Sequence, residues 1–169
     1  MREVARLLNE MRASGVITNY ALFGAVAQVR YTQAVATVDA DVLVAVAEPD
    51  RLDVLGPIYR FCAERGYASA GEAIKVGAWP VQFVPVFSDL TREALEAAEE
   101  TDFEGVAFRV VRADYLAVIA LSVGRAKDFA RILALLESGS IERSTIARLS
   151  KTYSLSDAWR RFDERFPGE

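Results

Sequence analysis

Two short segments near the start of the chain constrain its fold more than any other feature. Residues 20–27 read Tyr-Ala-Leu-Phe-Gly-Ala-Val-Ala, and residues 37–44 read Thr-Val-Asp-Ala-Asp-Val-Leu-Val. The first segment predicts a strand that enters a tight turn at Gly24 and continues into a short helix. The second predicts a strand that is covered on both faces, because the apolar run Val42–Ala47 is unbroken.

Asp39 and Asp41 stand at the beginning of this second strand. Side chains alternate along a strand, so the two carboxylates point the same way and lie about 6–7 Å apart. Like charges so placed repel each other unless a positive group lies between them. Together with a glycine turn that lets a phosphate approach the backbone, the pair favours a site for a divalent cation and a nucleotide. The alternative is an ordinary turn followed by two solvated aspartates.

The chain contains no histidine, and this excludes several kinds of chemistry. Catalysis by a Ser-His-Asp or Cys-His arrangement is impossible, as is a histidine-ligated zinc or iron site. A metal held by carboxylates is expected to be a hard ion such as Mg²⁺ or Mn²⁺. The single cysteine, Cys62, lies in a helical pattern and is expected to be a buried apolar residue rather than a nucleophile.

Charge and hydropathy limit the expected location and partners of the chain. Its net charge of −4 argues against broad, nonspecific nucleic-acid binding, although it allows one local basic patch. The N-terminus alternates charged and apolar residues, unlike a signal peptide, and no uncharged run approaches the roughly 18–20 residues that span a bilayer. We therefore expect a soluble, cytoplasmic protein that does not contact a membrane.

The hydrophobic periodicity predicts an α/β (α+β) fold, in which helices flank a mixed β-sheet and a C-terminal helical tail packs on it. Residues 1–111 are expected to form the α/β core and residues 112–169 the helical region. A helix is expected to begin at Pro49 and to end at Glu64, and another is expected to cover residues 89–100. The remaining predicted elements are a helix at 2–14, strands at 16–23, 39–47 and 106–111, and an antiparallel hairpin of 72–76 with 81–86.

Four segments together resemble the nucleotidyltransferase superfamily of polymerase-β type. They are Phe23-Gly-Ala-Val-Ala27, Thr37-Val-Asp-Ala-Asp41, Tyr115-Leu-Ala-Val-Ile-Ala120 and Gly124-Arg-Ala-Lys-Asp128. The resemblance is closer to the minimal, AbiEii-like branch, in which a glycine turn and an acidic pair are followed by a helix with a basic-x-Lys-Asp motif. It extends over residues 16–137, which is most of the chain.

The resemblance assigns roles to residues of the first two segments. It implies that Gly24 and Ala25 form the phosphate-binding turn and that Thr37 also belongs to the nucleotide site. It implies that Asp39 and Asp41 are the catalytic metal ligands. The expected cofactor is Mg²⁺ or Mn²⁺, bound together with a nucleoside triphosphate.

Three departures from the family pattern bear on catalysis. Ala25 occupies the second turn position, where the family has Gly or Ser, and Ala120 occupies a position where members often carry a lysine. Gln82 stands on the strand where active members place a third carboxylate. Glutamine can orient a group or coordinate a metal weakly, but it cannot act as a base. Glu72, on the preceding strand, is an alternative source of that carboxylate.

Arg125, Lys127, Asp128 and Arg131 form a second cluster, at the start of a predicted helix. The resemblance implies that Arg125, Lys127 and Asp128 contact the triphosphate or the phosphate of an acceptor. The structural alternative is a helix-start motif in which Asp128 pairs with Arg125 or Arg131. The sequence leaves both interpretations open.

The C-terminal segment interleaves basic and aromatic residues, from Trp159 to Phe166. Basic side chains in such a pattern can bind a nucleic-acid backbone, and the aromatic rings can stack on bases. At helical spacing, however, Trp159, Phe162 and Phe166 fall on one side, which favours packing against the rest of the protein or a partner.

Two functions from different classes remain open. One is a Mg²⁺-dependent nucleotidyltransferase that moves a nucleotide from a triphosphate to a hydroxyl of an RNA, a protein or a small molecule. The other is a catalytically inactive module of the same fold, acting as a nucleotide sensor or as a component of a toxin–antitoxin-like pair. A homodimer or a cognate partner protein is compatible with either.

Overall fold

The computed structural model describes residues 1–33, 39–49 and 52–168. Within these ranges the strands are β1 (Asn19–Phe23), β2 (Ala40–Ala45), β3 (Ala68–Ala70), β4 (Ala73–Val76), β5 (Trp79–Pro85), β6 (Glu99–Phe103) and β7 (Val106–Val110). The helices are α1 (Arg2–Ala13), α2 (Gly24–Gln28), α3 (Gly56–Glu64), α4 (Asp89–Glu96), α5 (Ala113–Val123), α6 (Ala126–Glu137), α7 (Arg143–Thr152) and α8 (Ser156–Arg165). The described strands form one mixed sheet in the order β3-β4-β5-β2-β1-β7-β6.

Strand directions bring three chain segments to one edge of the sheet. β2 runs antiparallel to β1, so the end of β1 lies beside the beginning of β2, and Phe23 pairs with Asp41. β5 runs parallel to β2, so its beginning lies at the same edge, and Asp41 pairs with Gln82. Directly paired residues point to the same face of a sheet, so all three side chains share one face.

The two faces of the sheet are covered by different helices. On one face, the hydroxyl of Tyr20 in β1 donates a hydrogen bond to Oδ1 of Asn9 in α1 at 2.6 Å. Arg65, which directly follows α3, forms an ion pair with Glu10 of α1 at 3.3 Å. On the other face, α2 contacts β2, α5 and α6.

α5 is the central helix of the C-terminal region. It is apolar on nearly every side, with seven of its residues buried (Ala113, Leu116, Ala117, Val118, Ile119, Ala120 and Leu121). A helix that is apolar all round must be covered on all sides. Contacts with α2 and α4 join it to the sheet layer, and α6, α7 and α8 pack against it.

The aromatic residues of α8 are packing residues. Phe162 is 2% exposed, and its ring centroid lies 5.5 Å from that of Trp159 and 5.1 Å from that of Phe166. The packing interpretation of the C-terminal segment is therefore confirmed. Cys62 is also buried as expected, and burial raises the pKa of its thiol to about 11.

The predicted fold class is confirmed, including the mixed sheet, the β4–β5 hairpin and the helical tail. The predicted helix over 89–100 is correct as far as Glu96 and wrong beyond it, because α4 ends there and β6 begins at Glu99. Arg109 of β7 stabilises this helix end, because its Nη2 donates to the carbonyls of Leu95, Glu96 and Ala98 at 2.8–3.2 Å. Cationic side chains near a helix C-terminus commonly bind the last carbonyls in this way.

The predicted start of the helix at Pro49 is also wrong for the residues that are described, since residues 52–55 are not helical. The helix begins at Gly56, whose N–H donates to Oδ1 of Asp53 at 2.7 Å, and Pro57 occupies its first turn. Asp53 satisfies a free N–H at the helix start, and proline is favoured there because it has no N–H to satisfy. No helix among the described residues is long and apolar enough to cross a membrane.

Candidate functional site

The turn at Gly24 and the carboxylate of Asp41 are in close contact. Gly24 has a positive φ of 67°, a conformation that favours glycine. A Cβ atom added to Gly24 would collide with Oδ2 of Asp41 and would lie 3.2 Å from its Cγ. The backbone conformation therefore favours glycine at this turn, and a larger residue would displace the carboxylate or the turn.

Asp41 is half-buried, and its charge is poorly accommodated. Burial raises the pKa of its carboxyl above the usual value, and the nearby charge of Asp39 raises it further. Arg131, Lys127 and Arg125, all at the beginning of α6, act in the opposite direction and lower it. The site thus combines two repelling carboxylates with three cations that lie within electrostatic range.

Gln82 occupies the position next to Asp41 that the sequence predicted. The parallel register pairs the two residues directly, so their side chains lie side by side on one face. Glu72 lies in the turn before β4, where its carbonyl accepts a hydrogen bond from the Tyr59 hydroxyl at 3.2 Å. Because Glu72 lies outside β4, the alternation of the strand does not set the direction of its side chain, and a third carboxylate from this position stays a prediction.

Asp128 accepts several hydrogen bonds at the start of α6. It is 1% exposed, and Oδ2 accepts hydrogen bonds from Nε of Arg125 at 2.7 Å and from its backbone N–H at 3.2 Å. Oδ1 accepts from Nη2 of Arg125 at 3.3 Å and from Nη1 of Arg131 at 3.5 Å. This is the helix-start motif that the sequence left open. It leaves Arg125 with a side chain that is 59% exposed and can meet a ligand, as can the exposed Lys127.

Gln28 belongs to the site although the sequence did not point to it. It is 3% exposed at the end of α2, and its Oε1 accepts a hydrogen bond from Nε of Arg131 at 3.3 Å. Arg131 thereby joins the helix that follows the glycine turn to Asp128 and the helix that carries the cations. The one feature of the sequence that could have indicated Gln28 is that it is a polar residue at the end of a short apolar helical segment.

The oxygen donors of the site fit a hard cation. Asp39 and Asp41 supply carboxylate oxygens, and Gln82 supplies an amide oxygen on the same face. Among the described residues, no group of three or more His, Cys, Asp or Glu side chains could hold a metal. Two carboxylates leave room for phosphate oxygens and water, an arrangement in which Mg²⁺ is usually bound.

The other predicted site residues are located as follows. Ala25 is the second residue of α2, directly after the turn glycine. α2 spans only five residues, so its macrodipole is small and a phosphate there would depend on individual N–H groups. Thr37 lies outside the described residues.

Comparisons with known proteins agree with this geometry at the level of the fold. No protein-family model matches the chain, and no curated protein matches it in sequence. Its structure is similar to the crystal structure of an antigenic nucleotidyltransferase-like protein from Paracoccidioides brasiliensis, with 14% identity, a TM-score of 0.58, and coverage of 93% of this chain and 90% of that chain. It is also similar to the solution structure of the antibiotic-resistance factor ANT(2″)-Ia, with 11% identity, a TM-score of 0.54, and coverage of 98% and 99%. The AbiEii-like branch stays a prediction, but at these identities the likeness shows that the chain has a nucleotidyltransferase-like fold.

Proposed function

We propose that this protein binds a nucleoside triphosphate with Mg²⁺ or Mn²⁺ at the edge formed by β1, β2 and β5, and transfers a nucleotide from it. The observation that carries the proposal is the contact of Asp41 with the Gly24 turn, beside Asp39 and opposite the cations of α6. A half-buried carboxylate pair is costly for the fold and is expected where it serves a ligand. The nucleotidyltransferase-like fold supports the same conclusion.

Each part of the site has a role in this proposal. Asp39 and Asp41 hold the metal, which when bound neutralises the phosphate oxygens and orients them for in-line displacement. Gly24 keeps the backbone close to Asp41, so that the phosphates are bound between the turn and the carboxylates. Arg125 and Lys127 bind the β- and γ-phosphates and stabilise the charge that develops on the leaving group.

The transfer step exchanges one phosphorus–oxygen bond for another. The oxygen of an acceptor hydroxyl attacks the α-phosphorus of the triphosphate, and the bond to the oxygen that bridges the α- and β-phosphorus atoms breaks. Pyrophosphate leaves with the electron pair, and the hydroxyl proton passes to water. Gln82 orients the hydroxyl through its amide oxygen but does not take the proton, because an amide is not a base at neutral pH.

Gln82 also favours a second candidate function. Without a carboxylate at this position, the same pocket can bind the triphosphate and metal without turnover. The protein would then act as a nucleotide sensor, or as a component of a toxin–antitoxin-like pair with a cognate partner protein. The cytoplasmic location and a homodimer remain expectations under both functions.

Incubation with Mg²⁺ and α-³²P-labelled triphosphates, together with total RNA, proteins and small hydroxyl compounds, distinguishes the two functions. Nucleotide transfer predicts label on one acceptor class and its loss in the Asp39→Ala/Asp41→Ala variant. A Gln82→Asp variant restores a carboxylate beside Asp41 and is expected to raise the rate. If triphosphate binds but neither the wild type nor Gln82→Asp transfers label, the inactive module is the correct function.

A further inference from the structure

A cleft of about 460 Å³ lies between α8 and the corner that joins α5 to α6. We call it the α8 cleft, and none of the predicted site residues lines it. Its lining is largely apolar, including Val123 and the ring of Phe129. Gly124 forms the corner, and a Cβ there would lie 3.8 Å from the Phe129 ring, so the corner fits closely against this aromatic surface.

The charges of the α8 cleft have one sign. Arg161 and Arg165 line it, and no carboxylate is among its described lining residues. Arg165 is held by the aromatic rings beneath it, 5.2 Å from the ring centroid of Phe166 and 5.9 Å from that of Phe129. Arg161 is exposed, and neither arginine forms a salt bridge with another described residue. The described lining of the cleft therefore carries two positive charges and no negative one.

Three other charged residues of α8 are paired within the protein. Asp157 pairs with Arg160 of the same helix at 2.9 Å, and Asp163 pairs with Arg143 of α7. Of the three arginines of α8, Arg160 therefore has a carboxylate partner, whereas Arg161 and Arg165 form no salt bridge with a described residue and line the cleft.

The chemistry of the cleft selects its ligand. Two guanidinium groups match a phosphate monoester, which carries a charge of about −1.5 to −2 near neutral pH, better than a single carboxylate. The apolar wall at Val123 and Phe129 suits a flat, weakly polar body attached to that phosphate. A volume of about 460 Å³ holds one small molecule. The net negative charge of the chain disfavours a polynucleotide.

We propose that the α8 cleft binds a small phosphorylated molecule of nucleotide size. Arg161 and Arg165 bind its phosphate, and the apolar wall at Val123 and Phe129 contacts the rest of the molecule. This binding does not depend on the proposed nucleotide transfer.

Calorimetric titration of the full chain without metal or triphosphate tests the binding. The probe is adenosine 5′-monophosphate, and adenosine, inorganic phosphate and a five-nucleotide single-stranded RNA are separate arms. We expect the monophosphate to bind, adenosine to bind at least about tenfold more weakly, and the Arg161→Ala/Arg165→Ala variant to lose at least about tenfold in affinity. Arg160→Ala is the matched control, because Arg160 lies on the same helix outside the cleft.

The variants separate this proposal from the preceding one. Asp39→Ala/Asp41→Ala should leave monophosphate binding unchanged while abolishing metal-dependent triphosphate binding. The proposal is overturned if the monophosphate does not bind, if Arg161→Ala/Arg165→Ala binds it as the wild type does, or if Arg160→Ala weakens it equally. It is also overturned if the RNA binds more than about tenfold tighter than the monophosphate through the same two arginines, because the site would then belong to a nucleic-acid strand. Thermal melting of each variant checks that the fold is retained.

Discussion

The substitution Gly24→Ala tests whether the glycine turn and Asp41 act as one unit. Gly24 has a φ of 67°, and the new methyl group would collide with Oδ2 of Asp41. Relief of this collision requires the carboxylate or the turn to move. We therefore expect the substitution to weaken metal-dependent triphosphate binding by about 10–100-fold, the loss that is typical when a metal ligand loses its support.

The stability cost of the substitution can be separated from its effect on the site. A non-glycine residue in the left-handed region costs about 1–2 kcal/mol, which for a chain of this size lowers Tm by roughly 2–8 °C. Gly15→Ala is a matched control, because Gly15 has a φ of 77° and no atom lies within 4 Å of its added Cβ. Both variants should lose stability, and only Gly24→Ala should also lose binding.

Differential scanning calorimetry and titration with a non-hydrolysable triphosphate analogue in Mg²⁺ measure the two effects. If Gly24→Ala binds the analogue as tightly as Gly15→Ala does, the turn and Asp41 do not act as one unit. If Gly15→Ala loses binding to the same extent as Gly24→Ala, the loss follows from global destabilisation and not from the contact with Asp41.

Three further predictions concern single side chains. Asp41→Asn should raise the Tm of the metal-free protein at pH 7. Burial and Asp39 raise the pKa of the Asp41 carboxyl in the folded state, so its ionisation costs stability as pH rises above the ordinary value of 3.8. In a series of melts at different pH, the gain in Tm should vanish below that value. The Cys62 thiol, with a pKa of about 11, should resist alkylation at pH 8 until denaturant unfolds the chain, as mass spectrometry would show. Arg109→Met should lower the free energy of unfolding by about 1–3 kcal/mol in urea, since carbonyls at the end of α4 lose their donor.

Local sequence patterns predicted the parts of the site that lie close together in the chain. The period of two along a strand predicts that Asp39 and Asp41 share a face, although β2 begins only at Ala40, and the turn glycine lies between two predicted elements. Gln82 was placed beside them through the family resemblance, and the register of β2 and β5 agrees.

Contacts between distant segments were beyond the reach of local patterns. Gln28 meets Arg131 across 103 positions, and nothing in either neighbourhood signals the other. The same holds for Arg109, which lies on β7 and donates hydrogen bonds to carbonyls at the end of α4. β3 escaped prediction because its three residues are small and exposed, with no hydrophobic alternation to mark a strand.

The α8 cleft also depended on the fold. The sequence showed basic residues interleaved with aromatics, but not which arginines would find partners. Asp157 pairs with Arg160 at i,i+3 within α8, whereas the pairing of Asp163 with Arg143 exists only once α7 and α8 pack together.

The most direct test of the central claim is the affinity for a non-hydrolysable triphosphate analogue, measured by calorimetry with and without Mg²⁺. The site described above predicts binding that requires the metal and disappears in Asp39→Ala/Asp41→Ala, while a control that removes the exposed carboxylates Asp89 and Asp157 keeps it. Binding of equal strength in the Asp39→Ala/Asp41→Ala variant, or no binding by the wild type, would contradict the account.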